Sequence, residues 1–309
     1  MTAPSKDFLI FFKHPRSSGT TFGFMGDLTG HCFICYNTPR MSDEILTPTE
    51  NNQQSGYPAE ASREMMEAGV FYGRKKSKTN PKMRQFVLGN RGGIELINLQ
   101  KSEELVKEAA EFVKEKVKKG ALVLLVGTMA GSEEGVTRIA QKFNLPYVTI
   151  RWVGGAITNF GNISKRVEYM VKLRTDIASG ALGKYTKKER LEMEREMERL
   201  RILMGGLESM TRVPDVMIVI DPILHKTAVA EAIVKKIPII ALANVDANPD
   251  DIDYLVPGND KAKRSIEWFL GKMEEAIDEG LKEKARIATE IAAAAAKTED
   301  VKKLEPAKE

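Results

Sequence analysis

Tyr147 to Phe160, YVTIRWVGGAITNF, is the stretch on which the reading of the chain turns. Tyr147 to Ile150 is a short β-rich run, Arg151 and Trp152 break it, Gly154 and Gly155 follow, and Thr158-Asn159 opens what reads as a long helix. Paired glycines let a backbone take φ > 0 or approach another surface closely. The Arg-Trp dipeptide beside them offers a charged fork and a flat stacking face. Two readings are open on this dipeptide alone: a buried Trp on a tight strand-to-helix turn, or a contact point for a partner.

On either side of this turn the chain alternates strand and helix. Ile94 to Asn98 is followed by a helix over about Ser102 to Lys119, and Leu122 to Val126 by a helix from about Ser132 to Phe143. Beyond the turn, Val216 to Ile220 precedes a helix near Lys226 to Lys235. Ile239 to Leu242 is another strand, and a long last helix spans Asp260 to about Arg286. Apolar strands separated by amphipathic helices imply a parallel sheet covered on both faces. The expected fold class is therefore α/β, a three-layer, doubly wound α/β/α domain.

Between Ile150 and Val216 lie about 65 residues, several times what a crossover helix needs. Phe160, Ile163, Val167, Met170 and Ile177 fall at heptad spacing, as do Met193, Met197, Leu200, Met204 and Leu207, with Ser179, Gly180 and Gly183 between the two runs. An inserted antiparallel coiled-coil hairpin over 156–210 is expected, with the α/β domain formed by 62–155 and 211–286 and an Ala/Lys/Glu-rich tail over 287–309. Its Met-rich seam suits adaptable packing, and periodicity does not say whether it grips a partner; Met193, Met197 and Leu200 are the candidate positions if it does.

A doubly wound fold often binds nucleotides at the carboxyl ends of its strands, so an enzyme of that kind is the alternative to weigh. Gly127 to Ser132, GTMAGS, lacks the G-x-G-x-x-G spacing that brings amides onto a pyrophosphate, and no GK[ST] loop occurs. Asp221 and Asp246 stand at strand ends without a nucleophile and base around them, and His225 is the only His after residue 31. Strand-end aspartates of this sort are expected to be caps or turn residues. Neither a cofactor nor a catalytic residue is expected.

With 47 Lys+Arg against 43 Asp+Glu in 309 residues, the net charge of +4 says little, and the placement of the cations matters more. FYGRKKSKTNPKMRQFVLGNRGG gathers Arg74, Lys75, Lys76, Lys78, Lys82, Arg84 and Arg91 into a loop and hairpin without an intervening acid. Such a run repels itself unless an anion is near, so it points to a polyanion rather than to a merely solvated face, with Arg151 as a further candidate contact.

No apolar run reaches the roughly 18 residues of a membrane helix. The first residues lack a convincing signal-peptide core, so a cytosolic protein is expected. Residues 1–61 have no hydrophobic periodicity and read as a disordered extension, and Met41, with its acidic and polar successors, looks more like a natural start than Met1. His31, Cys32 and Cys35 include the chain's two cysteines. One C-x-x-C is half a zinc site at best and lacks the βαβ context of a redox motif, so no metal is expected there.

The motifs MMEAGVFYG, TNPKM, INLQK, VLLVGT, RWVGGAITNF, MGGLESM, VPDVMIVID, AVAEA with IPIIAL, and DYLVPGNDKAKRSI occur in this order from about Met65 to Gly280. Together they resemble the bacterial family of the second protein of the small ribosomal subunit. The resemblance implies a flavodoxin-like α/β/α domain with a protruding coiled coil and no enzymatic activity. It implies contacts with small-subunit rRNA and neighbouring ribosomal proteins, and a hairpin that helps dock the mRNA-binding first protein of the subunit where that protein is present. Family members commonly carry GVHFGHQ where this chain has Gly69 to Lys75. In some of them the second of those His residues and two acids hold zinc, at positions matching Arg74, Asn244 and Asp260 here. The resemblance therefore implies a lost metal site, with two alternatives for Arg74: an ion pair to Asp260, or a phosphate contact beside its lysine neighbours.

Overall fold

The computed structural model describes residues 59–304. Of the extension expected over 1–61, residues 59–61 already belong to a helix; the expectations for 1–58, including a start at Met41 and the His31, Cys32 and Cys35 cluster, lie outside the described residues.

Five parallel strands form the central sheet: β4 (Val123–Val126), β5 (Tyr147–Val148), β6 (Val216–Ile220), β7 (Ile239–Ala243) and β8 (Tyr254–Pro257). Their spatial order is β5-β4-β6-β7-β8, the 2-1-3-4-5 order of flavodoxin-like sheets. Strands such as Val216–Ile220 are continuously apolar because both faces are covered. Successive residues point to opposite sides. Leu124, Val126, Met217, Val219, Ile239 and Ala241 pack on one face with Ala228, Val229 and Ala232 of helix α6 (Lys226–Lys235). Val123, Leu125, Ile218, Ile220, Ile240 and Val256 pack on the other with helices α2 (Leu99–Lys118), α3 (Ala130–Phe143) and α7 (Lys263–Leu304), where Phe269 is fully buried. At the amino end of the described chain, α1 (Ala59–Ala68) contacts α2 and α7.

Three expectations need correction. Ile94 to Asn98 is not a strand of the parallel sheet. β3 (Ile94–Ile97) is the centre of a separate antiparallel sheet, between β1 (Tyr72–Lys75) and β2 (Val87–Arg91). β2 reaches it through a short two-glycine turn, with φ of +59° at Gly92 and +82° at Gly93. Ile94 is exposed where Ile97 is buried, whereas β4, β6 and β7 are buried at every position. The fifth parallel strand is instead β8, which contains Pro257 and is too short to announce itself. Lastly, α7 begins at Lys263 rather than Asp260, because the Asn259 side chain accepts from the N–H groups of Lys261 and Ala262 in a preceding turn. It also continues past Arg286 to Leu304, through an alanine-rich run without glycine or proline that favours continued helix.

Between β5 and β6 come α4 (Phe160–Ala178), a 3-10 turn over Ala181–Lys184, and α5 (Lys187–Met204), opened by a capping box between Thr186 and Glu189. The two helices pack on each other, and α4 buries Ile163, Met170 and Leu173.

Candidate nucleic-acid interface

The basic segment is built as an outer sheet with two 3-10 turns, Lys76–Lys78 and Pro81–Phe86, between β1 and β2. Proline at the start of the second turn and the Asn80 side-chain oxygen, which accepts from Lys82 N–H, set its direction. The Asn80 N–H donates to the Val245 carbonyl at 2.9 Å and anchors the segment beyond the end of β7. Thr79 donates its hydroxyl to the buried Glu95 carboxylate on β3. On this frame Lys75, Lys76, Lys78, Arg84 and Arg91 are exposed, and no ion pair among the described residues involves them. Lys82 is exposed as well and pairs with Asp250.

Arg74 differs from these cations. Its Nε lies 2.7 Å from Asp246 Oδ2 and one terminal nitrogen 2.6 Å from Asp260 Oδ2. Asn244 donates its amide to the other Asp260 oxygen at 3.0 Å. Of the two alternatives for Arg74, the geometry is that of the ion pair. Gly73 permits the approach, since a Cβ there would sit 2.6 Å from the Glu95 carbonyl oxygen. Burial works against the Arg74 cation, yet Asp260 and Asp246 hold its pKa above the ordinary value. Burial pushes the Asp260 carboxyl up. The Asn244 amide and Arg74 pull against that shift, while Asp221 and Asp246 add to it. A metal ion does not fit this set: the guanidinium fills the cation's place, Asn244 is neutral, and zinc would face a fixed positive charge.

Arg151 is exposed on the turn that follows β5, at the opposite edge of the parallel sheet from β8. Four strand spacings put the two edges about 19 Å apart. The structure therefore brings the six cations from Lys75 to Arg91 together on one segment and leaves Arg151 separate.

Sequence reasoning missed Glu231, on α6. Its residue is 8% exposed. Oε1 accepts from Trp152 Nε1 (3.0 Å) and Gly155 N (2.8 Å), and Oε2 from Ile157 N (3.2 Å), Thr158 N (3.1 Å) and Thr158 Oγ1 (3.1 Å). Burial alone would raise this carboxyl, but the donors from Trp152, Gly155, Thr158 and Ile157 outweigh it and hold the pKa below the usual value. The available signal was a lone acid within AVAEAIV, where an apolar helix face must supply it with donors. Trp152 is half-buried and packs against the core, so its ring belongs to the turn reading and its N–H to Glu231.

On α5, Met193 and Met197 are half-buried, and Leu200 packs against the core cluster that holds Met204 and Leu207. At the switch point between β4 and β6, where a nucleotide would be bound, the Thr128 N–H approaches His225 Nε2 at 3.4 Å. His225 is buried, and burial lowers its pKa, so a neutral ring accepting at Nε2 fits. Asp221 takes φ +60° and accepts from the N–H groups of Ile223 and Leu224, which makes it the turn residue expected of it.

These features define a flavodoxin-like α/β domain that carries an exposed basic sheet and has His225 and Asp221 buried at its switch point. The family model described as Ribosomal protein S2 matches residues 65–280, and the chain belongs to that family. A small ribosomal subunit protein uS2 of Geotalea uraniireducens (strain Rf4) is 39% identical over 218 residues, covering 71% of this chain and 85% of that protein. Another uS2, of Corynebacterium urealyticum (strain ATCC 43042 / DSM 7109), is 42% identical over 236 residues, covering 76% and 86%. The chain is thus a structural, non-enzymatic constituent of the small ribosomal subunit, acting in translation among rRNA and ribosomal proteins. Membership of the family places it on the cytoplasmic ribosome. No described helix is long and apolar enough to cross a membrane.

Proposed function

We propose that small-subunit rRNA is held by Lys75, Lys76, Lys78, Lys82, Arg84 and Arg91 on the outer sheet, with Arg151 as a second contact at the far edge of the parallel sheet. Arg74 serves the fold rather than the RNA. The supporting observation is the contrast in pairing: among the described residues the exposed cations of the segment, apart from Lys82, form no ion pair, while Arg74 forms two. Phosphate contacts of this kind position an RNA by its backbone shape and release counterions. Residues 156–210 act as an antiparallel coiled-coil hairpin inserted between 62–155 and 211–286, ahead of the 287–309 tail. Met193 and Met197, with Leu200 at their base, face a neighbouring ribosomal protein, the mRNA-binding first protein where it is present.

The test is binding of the full chain to small-subunit rRNA across a salt series. Replacing Lys75, Lys76 and Lys78 by Ala is expected to weaken binding and reduce the logarithmic salt slope by up to about three units. An unchanged slope would place these lysines in solvent and overturn the assignment.

A further inference from the structure

Glu231 has the hydrogen-bonding environment of a bound anion, not of an ion-paired side chain. Five neutral donors converge on it, all from Trp152, Gly155, Ile157 and Thr158, and no Lys or Arg forms an ion pair with it among the described residues. Gly155 at φ +85° lets successive N–H groups turn toward one point, which is how backbone makes a concave nest for an anion. The carboxylate that fills it comes from α6, whose neighbouring inward residues are Ala228, Val229 and Ala232.

We propose that the turn from Trp152 to Thr158 is an anion-binding nest whose anion is supplied by the chain itself. Glu231 is then a positioning residue that fixes Arg151 and the start of α4 in the geometry that meets RNA. The turn has two faces. Its amides point inward to Glu231, while Arg151, Gly154, Thr158 and Asn159 are exposed. Arg151 forms no ion pair within the described residues, so its place is set by the backbone that Glu231 holds. The nest also explains why the turn tolerates so little regular structure: the N–H groups of Gly155, Ile157 and Thr158, which a helix or strand would otherwise satisfy, are satisfied by one side chain. The consequence for RNA rests on Arg151 being a contact, as proposed above; the nest itself does not.

The experiment uses the full chain labelled with nitrogen-15 and follows the Trp152 indole N–H, the Gly155, Ile157 and Thr158 amides, and affinity for small-subunit rRNA. Glu231→Ala is expected to move the indole signal away from its carboxylate-bonded position and to weaken rRNA binding roughly tenfold, as orphaned donors release the turn. Added formate, compared with equal chloride, is expected to return the indole signal saturably and to recover affinity. An indole signal that Glu231→Ala leaves in place, or that formate moves no more than chloride does, overturns the nest. If Glu231→Ala does not fold, Glu231→Gln carries the test. It turns an NH2 group toward N–H donors, so hydrogen exchange at Gly155, Ile157 and Thr158 must accelerate while that of β6 and β7 is kept, and unchanged exchange at the three amides overturns the proposal. Arg151→Ala separates the two readings. Normal rRNA affinity in that variant removes Arg151 as a contact and with it the RNA role of Glu231, while the formate response of the indole still decides the nest.

Discussion

Arg74 is 22% exposed and bridges Asp246 and Asp260, whereas Lys75, the next residue on the same strand, is exposed and forms no ion pair among the described residues. The pairing register shifts beside them: Tyr72 faces Leu96 and Lys75 faces Ile94, so three steps along β1 match two along β3. Successive strand side chains point to opposite sides. Arg74 meets an aspartate that is 1% exposed, and Lys75 stays outside. Adjacent cations of one basic run thus belong to different systems. Arg74 ties the outer sheet to the carboxyl ends of β7 and β8, and the others remain available to a polyanion. A charge count along the sequence treats them alike, but burial and counter-ions separate them.

That comparison is most easily broken at Arg74. Arg74→Ala leaves Asp260 buried without its cation and is expected to cost about 3–5 kcal/mol in a urea titration. A loss below about 1 kcal/mol would return Arg74 to the surface class of exposed pairs. Arg74→Lys should fall between, because an ammonium cannot match the fork that reaches both aspartates.

The next effect in size belongs to Glu231. At neutral pH Glu231→Gln is expected to lose about 1–3 kcal/mol through mismatched buried donors. The pH dependence has a definite sign. The folded-state pKa lies below the unfolded one, so the carboxylate's contribution is present above the unfolded value near pH 4.3 and is lost as pH falls through the lower folded value. The stability gap between the parent and Glu231→Gln should therefore close in acid, as read by urea midpoints at a series of pH values; a constant gap would show that the charge contributes nothing.

Smaller still is Lys82→Ala. Its pair with Asp250 is more than half exposed on both sides, at 57% and 55%, so a loss of about 0.2–1 kcal/mol is expected, fading with added salt. Least of all should come from Lys75→Ala, Lys76→Ala and Lys78→Ala combined, within about 0.5 kcal/mol of the parent by thermal or chemical unfolding. If this triple variant unfolds markedly earlier, the exposed cations are part of the fold and the contrast with Arg74 fails.

The sequence by itself determined the alternation of apolar strands and amphipathic helices, because a strand buried on both faces leaves a run such as Val216–Ile220 that no surface segment carries. Its ordered motifs determined the family, and its missing phosphate loop turned the reading away from nucleotide chemistry. It also located the cations, since clustering of charge is visible in one dimension. The tertiary structure alone decided what each of those charges does. Pairing across 186 residues, as between Arg74 and Asp260, leaves no periodic trace, and neither does a register shift of a single residue. Ile94–Ile97 went to the antiparallel sheet for the same reason: four residues of strand do not name their partner, and hydrogen bonds to β1 and β2 chose it. Glu231 stood in plain view within AVAEA, but its five donors lie 73 to 79 residues away, on a turn whose shape only the folded backbone creates.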